Sequence, residues 1–295
     1  MAAVVSQPDR PRGRGRHAGP SPVAALALRA GVALLRPERV GDPDLERELR
    51  AHAPDLGVVV AFGNFLPRRV RELPRLGYLV NGHASLLPRW RGAAPIARAI
   101  LAGDARTGIS VMRVEREMDA GPVALRVETE IGPDEDAGSL EARLAALCAD
   151  AVAEACDRIA YGKVAWAPQE AGLATFAPKL EPGEARLDWR EPAAALARRV
   201  RAFAPSPGAW TSLGGERLRI LAARAEPGLA LDPPGTVRRS GGSADPQQRS
   251  ILRVATGDGW LLPTRVQRAG GREMDTAAFL RGHDVADGAL LGAGG

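Results

Sequence analysis

Asn81 and His83 stand two residues apart at the end of a short apolar run, Tyr78-Leu79-Val80. Side chains at i and i+2 of a strand project to one side, so these two can share a pocket. In open α/β sheets the ligand crevice lies at the carboxyl ends of the strands, where the pair falls. An amide N–H placed there can donate to an oxygen that gains negative charge during a reaction. An imidazole can hold or pass a proton near neutral pH. A histidine at a strand end is also commonly a hydrogen-bonded structural group, so these two residues alone leave both readings open. Asp119 lies 36 residues beyond His83, ahead of Ala120-Gly121. By itself it reads as a turn residue. Brought beside His83, its carboxylate could orient the ring, stabilise its cation or help take a proton.

The elements that must position these groups can be read from the apolar pattern. Short apolar runs alternate with helical patterns through the first half, as in βαβ units built on a parallel sheet. Strand ends are expected near residues 4–6, 32–35 and 78–83, with capped helices over 21–31, 42–52 and 95–103. The continuous run 57–62, GVVVAF, suggests a strand buried on both faces. Segments 108–114 and 122–131 alternate as strands do, and 139–160 is the longest helix. From 162 to 188 periodicity fades while Pro, Gly and charge accumulate, which marks a linker. Beyond it a helix over 192–202 precedes several brief strands separated by Gly, Pro and Asp. That pattern suits a small β-barrel or open sheet. Three regions follow: 1–161, a linker 162–188, and 189–295.

Bulk properties exclude several classes. With 295 residues, 45% hydrophobic and 25% charged, the chain has the composition of a two-domain globular protein. No apolar run is long enough to cross a membrane or serve as a signal peptide, so a cytoplasmic protein is expected. Cys148 and Cys156 sit eight residues apart on one helix, about 12 Å along its axis, too far for a disulfide. The four histidines lie apart from the cysteines and from one another, so no metal site is expected. A net charge of +5 permits a polyanionic partner without requiring one. Arg10, Arg12, Arg14 and Arg16 alternate among Pro and Gly. Such a run reads as a solvated loop or as a set of phosphate contacts.

The segment NGHASLLPRWRGAAPIARAILAGDARTGISVMRVEREMDAGPV resembles the core motif of the folate-dependent formyltransferases. The likeness continues through VSQPDRPRGRGR, VVVAFGNFLP, ATFAPKLEPGEARLDW, RAFAPSPGAW and VATGDGWL, almost the whole chain. It implies a doubly wound, mostly parallel, Rossmann-like sheet followed by a small OB-like β-barrel that binds tRNA. It implies transfer of the formyl group of 10-formyltetrahydrofolate to the amino group of initiator methionyl-tRNA, with no metal. Asn81, His83 and Asp119 are then the catalytic residues. Phe62, Leu66, Ser85, Leu86, Leu87 and Pro88 would hold the folate. The same leucines and phenylalanine would serve equally well as core. Arg10, Arg12, Arg14, Arg16 and Lys179 would contact tRNA, and the protein would work as a monomer. Another folate-dependent formyltransferase or hydrolase is an alternative, as is a non-catalytic tRNA-binding remnant.

In one respect the chain departs from the pattern. Family members carry a strand, a Gly-Thr-Pro-x-Phe loop and a helix ahead of Gln-Pro-Asp-Arg, where this sequence has MAAVVS. In a doubly wound sheet that strand is central, so without it two strand edges are expected to lack partners. A start placed too far downstream accounts for this with every later motif intact; a partial gene copy or a rearranged fold are the other readings. The 295 residues as they stand are expected to be poorly stable and to have little or no activity.

Overall fold

The computed structural model describes residues 1–12, 17–240 and 251–292. In chain order its first elements are β1 (Ala3–Val5), β2 (Arg10–Arg12), β3 (His17–Gly19), α1 (Pro22–Arg29), β4 (Ala33–Leu35), α2 (Pro43–Ala51), β5 (Gly57–Val60), α3 (Arg68–Arg71) and β6 (Leu79–His83). Next come β7 (Arg91–Gly92), α4 (Pro95–Ala102), β8 (Arg106–Arg113), β9 (Val123–Glu130), α5 (Ala137–Ala160) and β10 (Phe176–Ala177). The remainder is α6 (Ala193–Phe203), β11 (Ala209–Leu213), β12 (Glu216–Pro227), β13 (Val237–Ser240), β14 (Ile251–Ala255), β15 (Gly259–Arg268), β16 (Met274–Asp275) and α7 (Thr276–Gly282). The expected helix starts have local causes. Ser21 accepts from Ala24 N ahead of α1, and Asp42 from Asp44 N ahead of α2, each with Pro at the first helical position.

By internal packing the chain divides into two discontinuous units. The first comprises Met1–Arg91, Ile109–Val127 and Leu147–Thr175. Its larger sheet has the order β5-β6-β8-β9. β5 and β6 are parallel, but β6 and β8 are antiparallel, with His83 opposite Ser110 and Asn81 opposite Met112. The unit thus joins parallel pairs with an antiparallel one, because alternation of strands and helices does not by itself fix every strand's direction. β1 and β4 form a separate parallel pair. Among the described residues β1 pairs only with β4 and β5 only with β6, so each keeps one edge without a strand partner. The reading of 57–62 as buried on both faces is corrected with it, since Val58 and Val60 are 48% and 52% exposed. A strand with a neighbour on one side alone leaves part of its side-chain surface to water.

The arginine run is partly ordered by pairing: β2 and β3 are antiparallel, with Arg10 opposite Gly19 and Arg12 opposite His17. In the other unit, β11-β12-β15-β14-β13 make an antiparallel sheet to which β16 adds by pairing with β15. Among the described residues this sheet is open; no closed barrel forms. The segment from 162 to 188 carries two short 3-10 turns and β10 rather than a plain linker. The β16–α7 ending, capped by Asp275 accepting from Ala278 N, has no counterpart in the sequence reading. Among the described residues no helix is long and apolar enough to cross a membrane.

Candidate active site

β6 carries the site because its two faces do different work. On one face a Cβ added at Gly82 would stand 2.4 Å from Cys148 Sγ and 3.1 Å from Val152 Cγ2, so α5 lies directly against the strand there. Asn81 and His83, on either side of Gly82, therefore point away from α5. Burial pushes the Cys148 thiol up, which makes it an apolar filler under the strand rather than a nucleophile. Gly82→Ala is expected to cost about 1–3 kcal/mol by overpacking and to shift Asn81 and His83 together. Thermal melts and turnover check this; wild-type Tm and kcat in the variant would refute it.

His83 is 7% exposed and held at both ring nitrogens. Nε2 lies 2.8 Å from the Trp90 carbonyl oxygen, which can only accept, so Nε2 carries a hydrogen and donates. Nδ1 then faces Asp119 Oδ2 at 3.6 Å. An unprotonated Nδ1 against a carboxylate would set two acceptors face to face. A hydrogen on Nδ1, directed at the carboxylate, would remove that clash and let His83 and Asp119 act as a pair.

The loop between His83 and Arg91 is satisfied largely from within the same unit. Ser85 Oγ donates to Arg89 O at 2.6 Å, Leu87 N donates to Ser110 Oγ at 3.0 Å, and Ser110 Oγ donates to Ser85 O at 2.7 Å. Arg126 Nε donates to Leu87 O, and Trp90 N to Thr175 Oγ1. Ser85 is fully buried, and Leu87 is in the core with Met112 and Val123. Their side chains give a ligand no surface, so any part they play in binding falls to the backbone. Phe62, Leu66, Leu86 and Pro88 are half-buried and keep an open side.

Asp119 sits on the connection from β8 to β9 with φ of 52°, in the left-handed region. The base of that connection is tight. Arg113 N donates to Pro122 O, and a Cβ at Gly121 would meet Arg113 O at 2.1 Å. The Arg113 guanidinium stacks between Tyr78 and Trp166, 4.1 and 4.3 Å from their ring centroids. Among the described residues no group of His, Cys, Asp and Glu is placed to hold a metal ion.

Residues 1–156 match the Formyl transferase family, and residues 179–284 match Formyl transferase, C-terminal domain. The chain belongs to the formyl transferase family. It is 48% identical over 286 residues to the methionyl-tRNA formyltransferase of Halorhodospira halophila, spanning 97% of this chain and 89% of that one. It is 46% identical over 294 residues to that of Pseudomonas paraeruginosa, spanning 99% and 92%. Among solved structures, HypX from Aquifex aeolicus in complex with tetrahydrofolic acid shares the fold: TM-score 0.60 and 21% identity, over 87% of this chain and 43% of that one.

Within this formyl transferase chain the other expected site residues are dispersed. Arg10 and Phe62 line a cavity of about 290 Å³ with Ser6, Gln7, Arg39 and Phe65. It opens where the chain leaves β1, β4 and β5, and His83 and Asp119 do not line it. Arg12 lies in β2, while Arg14 and Arg16 fall outside the described residues. Lys179 is exposed in the other unit, its carbonyl accepting from Arg98 Nη2. Ser110, Trp90 and Gln169 hold the site in place and went unread in the sequence. Trp90 O meets His83 seven residues back, while Ser110 and Gln169 bond residues remote in the chain that no motif or periodicity records.

Proposed function

We propose that the chain transfers the formyl group of 10-formyltetrahydrofolate to the amino group of initiator methionyl-tRNA, with Asn81, His83 and Asp119 as catalytic residues. The observation that carries this reading is His83, held between the Trp90 carbonyl and the Asp119 carboxylate on the strand face that also presents Asn81. The 48% and 46% identity to methionyl-tRNA formyltransferases, over nearly the whole chain, supports that amine as acceptor.

The chemistry fits these residue types. The amine nitrogen attacks the formyl carbon and a C–N bond forms, while the carbonyl electrons move onto oxygen. Asn81 donates its amide N–H to that oxygen, a contact that strengthens as charge develops. Collapse breaks the bond to the folate N10. One proton leaves the attacking amine and one arrives at N10, and the His83–Asp119 pair carries it. Phe62, Leu66, Leu86 and Pro88 would wall the pterin, and the backbone of 85–88 would meet its polar edge. Arg10, Arg12, Arg14, Arg16 and Lys179 would contact tRNA phosphates, with 189–295 as a tRNA-binding domain.

The deciding experiment offers the purified chain 10-formyltetrahydrofolate with methionyl-tRNA, glycinamide ribonucleotide and an amino-sugar nucleotide in competition. Slow transfer that favours methionyl-tRNA is expected; preference for another amine, or no transfer to any, overturns the proposal. For the tRNA contacts, Arg10→Ala is expected to weaken binding and make the slope of log affinity against log salt shallower by about one. An unchanged slope would mean that Arg10 makes no phosphate contact.

A further inference from the structure

We infer that Gln169 is a positioning residue that fixes where the Asp119 carboxylate stands, a role that rests on the formyl-transfer reading above. Gln169 lies in the segment that follows α5, 50 residues from Asp119 in sequence. Its side-chain amide has four hydrogen-bonding partners in one small volume. Arg91 Nε and Nη2 reach Oε1 at 3.0 and 2.9 Å. Nε2 reaches Asp119 O and Gly121 O, both at 2.8 Å.

The orientation of that amide follows from its partners. A guanidinium can only donate, so the atom facing Arg91 is the oxygen; backbone carbonyls can only accept, so the atom facing the loop is the nitrogen. Arg91 is itself 4% exposed, and its Nη1 lies 3.7 Å from Glu117 Oε1. A buried, planar cation with little freedom thus orients Gln169, and Gln169 grips the carbonyls on either side of Ala120.

What the grip accomplishes follows from the backbone. Asp119 occupies a left-handed conformation, φ 52°, which costs a non-glycine residue roughly 1–2 kcal/mol. Such a conformation persists where its surroundings over-determine it. Two donors from one rigid amide, on the carbonyls of 119 and 121, do that on one side. The close approach of Gly121 to Arg113 O does it on the other. The result aims the Asp119 side chain at His83 Nδ1. Gln169 acts through Asp119 and touches no reacting atom itself.

The test compares Gln169→Leu and Gln169→Glu with wild type, alone and combined with Asp119→Asn. Leucine removes every hydrogen bond at similar volume. Glutamate can still accept from Arg91 but has no donor for the two carbonyls, so it keeps the anchor while losing the grip. Both variants are expected to lower kcat about 10- to 100-fold, in line with the cost of misplacing a catalytic group by about an ångström. KM for methionyl-tRNA and for the folate should stay within about threefold, since the role inferred for Gln169 acts through Asp119 and not through substrate binding. Asp119→Asn should cost far less in the Gln169→Leu background than in wild type, because one carboxylate is lost by both routes. A purely structural role predicts multiplying losses and a KM that moves with kcat. Wild-type transfer that both Gln169 variants leave intact sinks this inference alone, as do multiplying losses. No transfer by wild type to any amine sinks the functional reading and this inference with it.

Discussion

His83→Ala is expected to lower kcat by about 10²–10⁴-fold, the range that positioned acid–base groups contribute. Removing the ring takes away the imidazole that faces Asp119 Oδ2. The same substitution removes the His83 donor from the Trp90 carbonyl, and a partly buried acceptor that loses a donor can cost about 1–3 kcal/mol of stability. Loss of activity in His83→Ala could thus come from either source, and His83→Gln separates them. Glutamine can still donate to Trp90 O but cannot carry a proton. It is expected to melt close to wild type and to turn over as slowly as the alanine variant. Recovery of kcat to within about tenfold in His83→Gln would reduce His83 to a structural donor.

Asn81→Ala should lower kcat by about 10²–10³-fold, as measured when one oxyanion-hole donor is removed elsewhere, with KM for both substrates nearly constant. The split matters more than the size. A donor that meets the formyl oxygen equally well before and during attack would change KM; one that meets developing charge changes kcat. The side chain is well placed to be removed cleanly. Asn81 sits mid-pair between β5 and β8, opposite Val59 and Met112, so its backbone stays clamped when the amide is gone. Asn81→Asp is the companion variant. It keeps the shape, offers no N–H and sets a carboxylate against the oxyanion, so its kcat should fall at least as far. A rise in KM with kcat intact in either variant would remove the oxyanion role from Asn81.

How much of this site could be read from the chain depended on the range of each interaction. The shared direction of Asn81 and His83 follows from the period of a strand, and the helix caps at Ser21 and Asp42 from their immediate neighbours. Asp119 became a candidate through its place in a family pattern; by its local chemistry it was a turn residue. Leu87 shows the converse. The motif marks it for folate, yet packing on Met112 and Val123 draws its side chain inward. Val58 looked like buried core from its apolar neighbours and is half exposed, because burial depends on what lies across the strand edge.

The sequence by itself determined the order of the elements, the face on which Asn81 and His83 project and the family to which the chemistry belongs. Each of these is written in local periodicity or in a long run of matched residues. The tertiary structure alone decided that β8 runs antiparallel to β6 and that Trp90 fixes which nitrogen of His83 holds a hydrogen. It also decided that Asp119 faces the other nitrogen, and that Gln169, 78 residues beyond Arg91, secures the arrangement. Apart from the Trp90–His83 contact, seven residues apart, those facts are pairings between distant segments. Their energies arise when packing and hydrogen bonding bring the segments together, and no local propensity encodes which distant partner will be met.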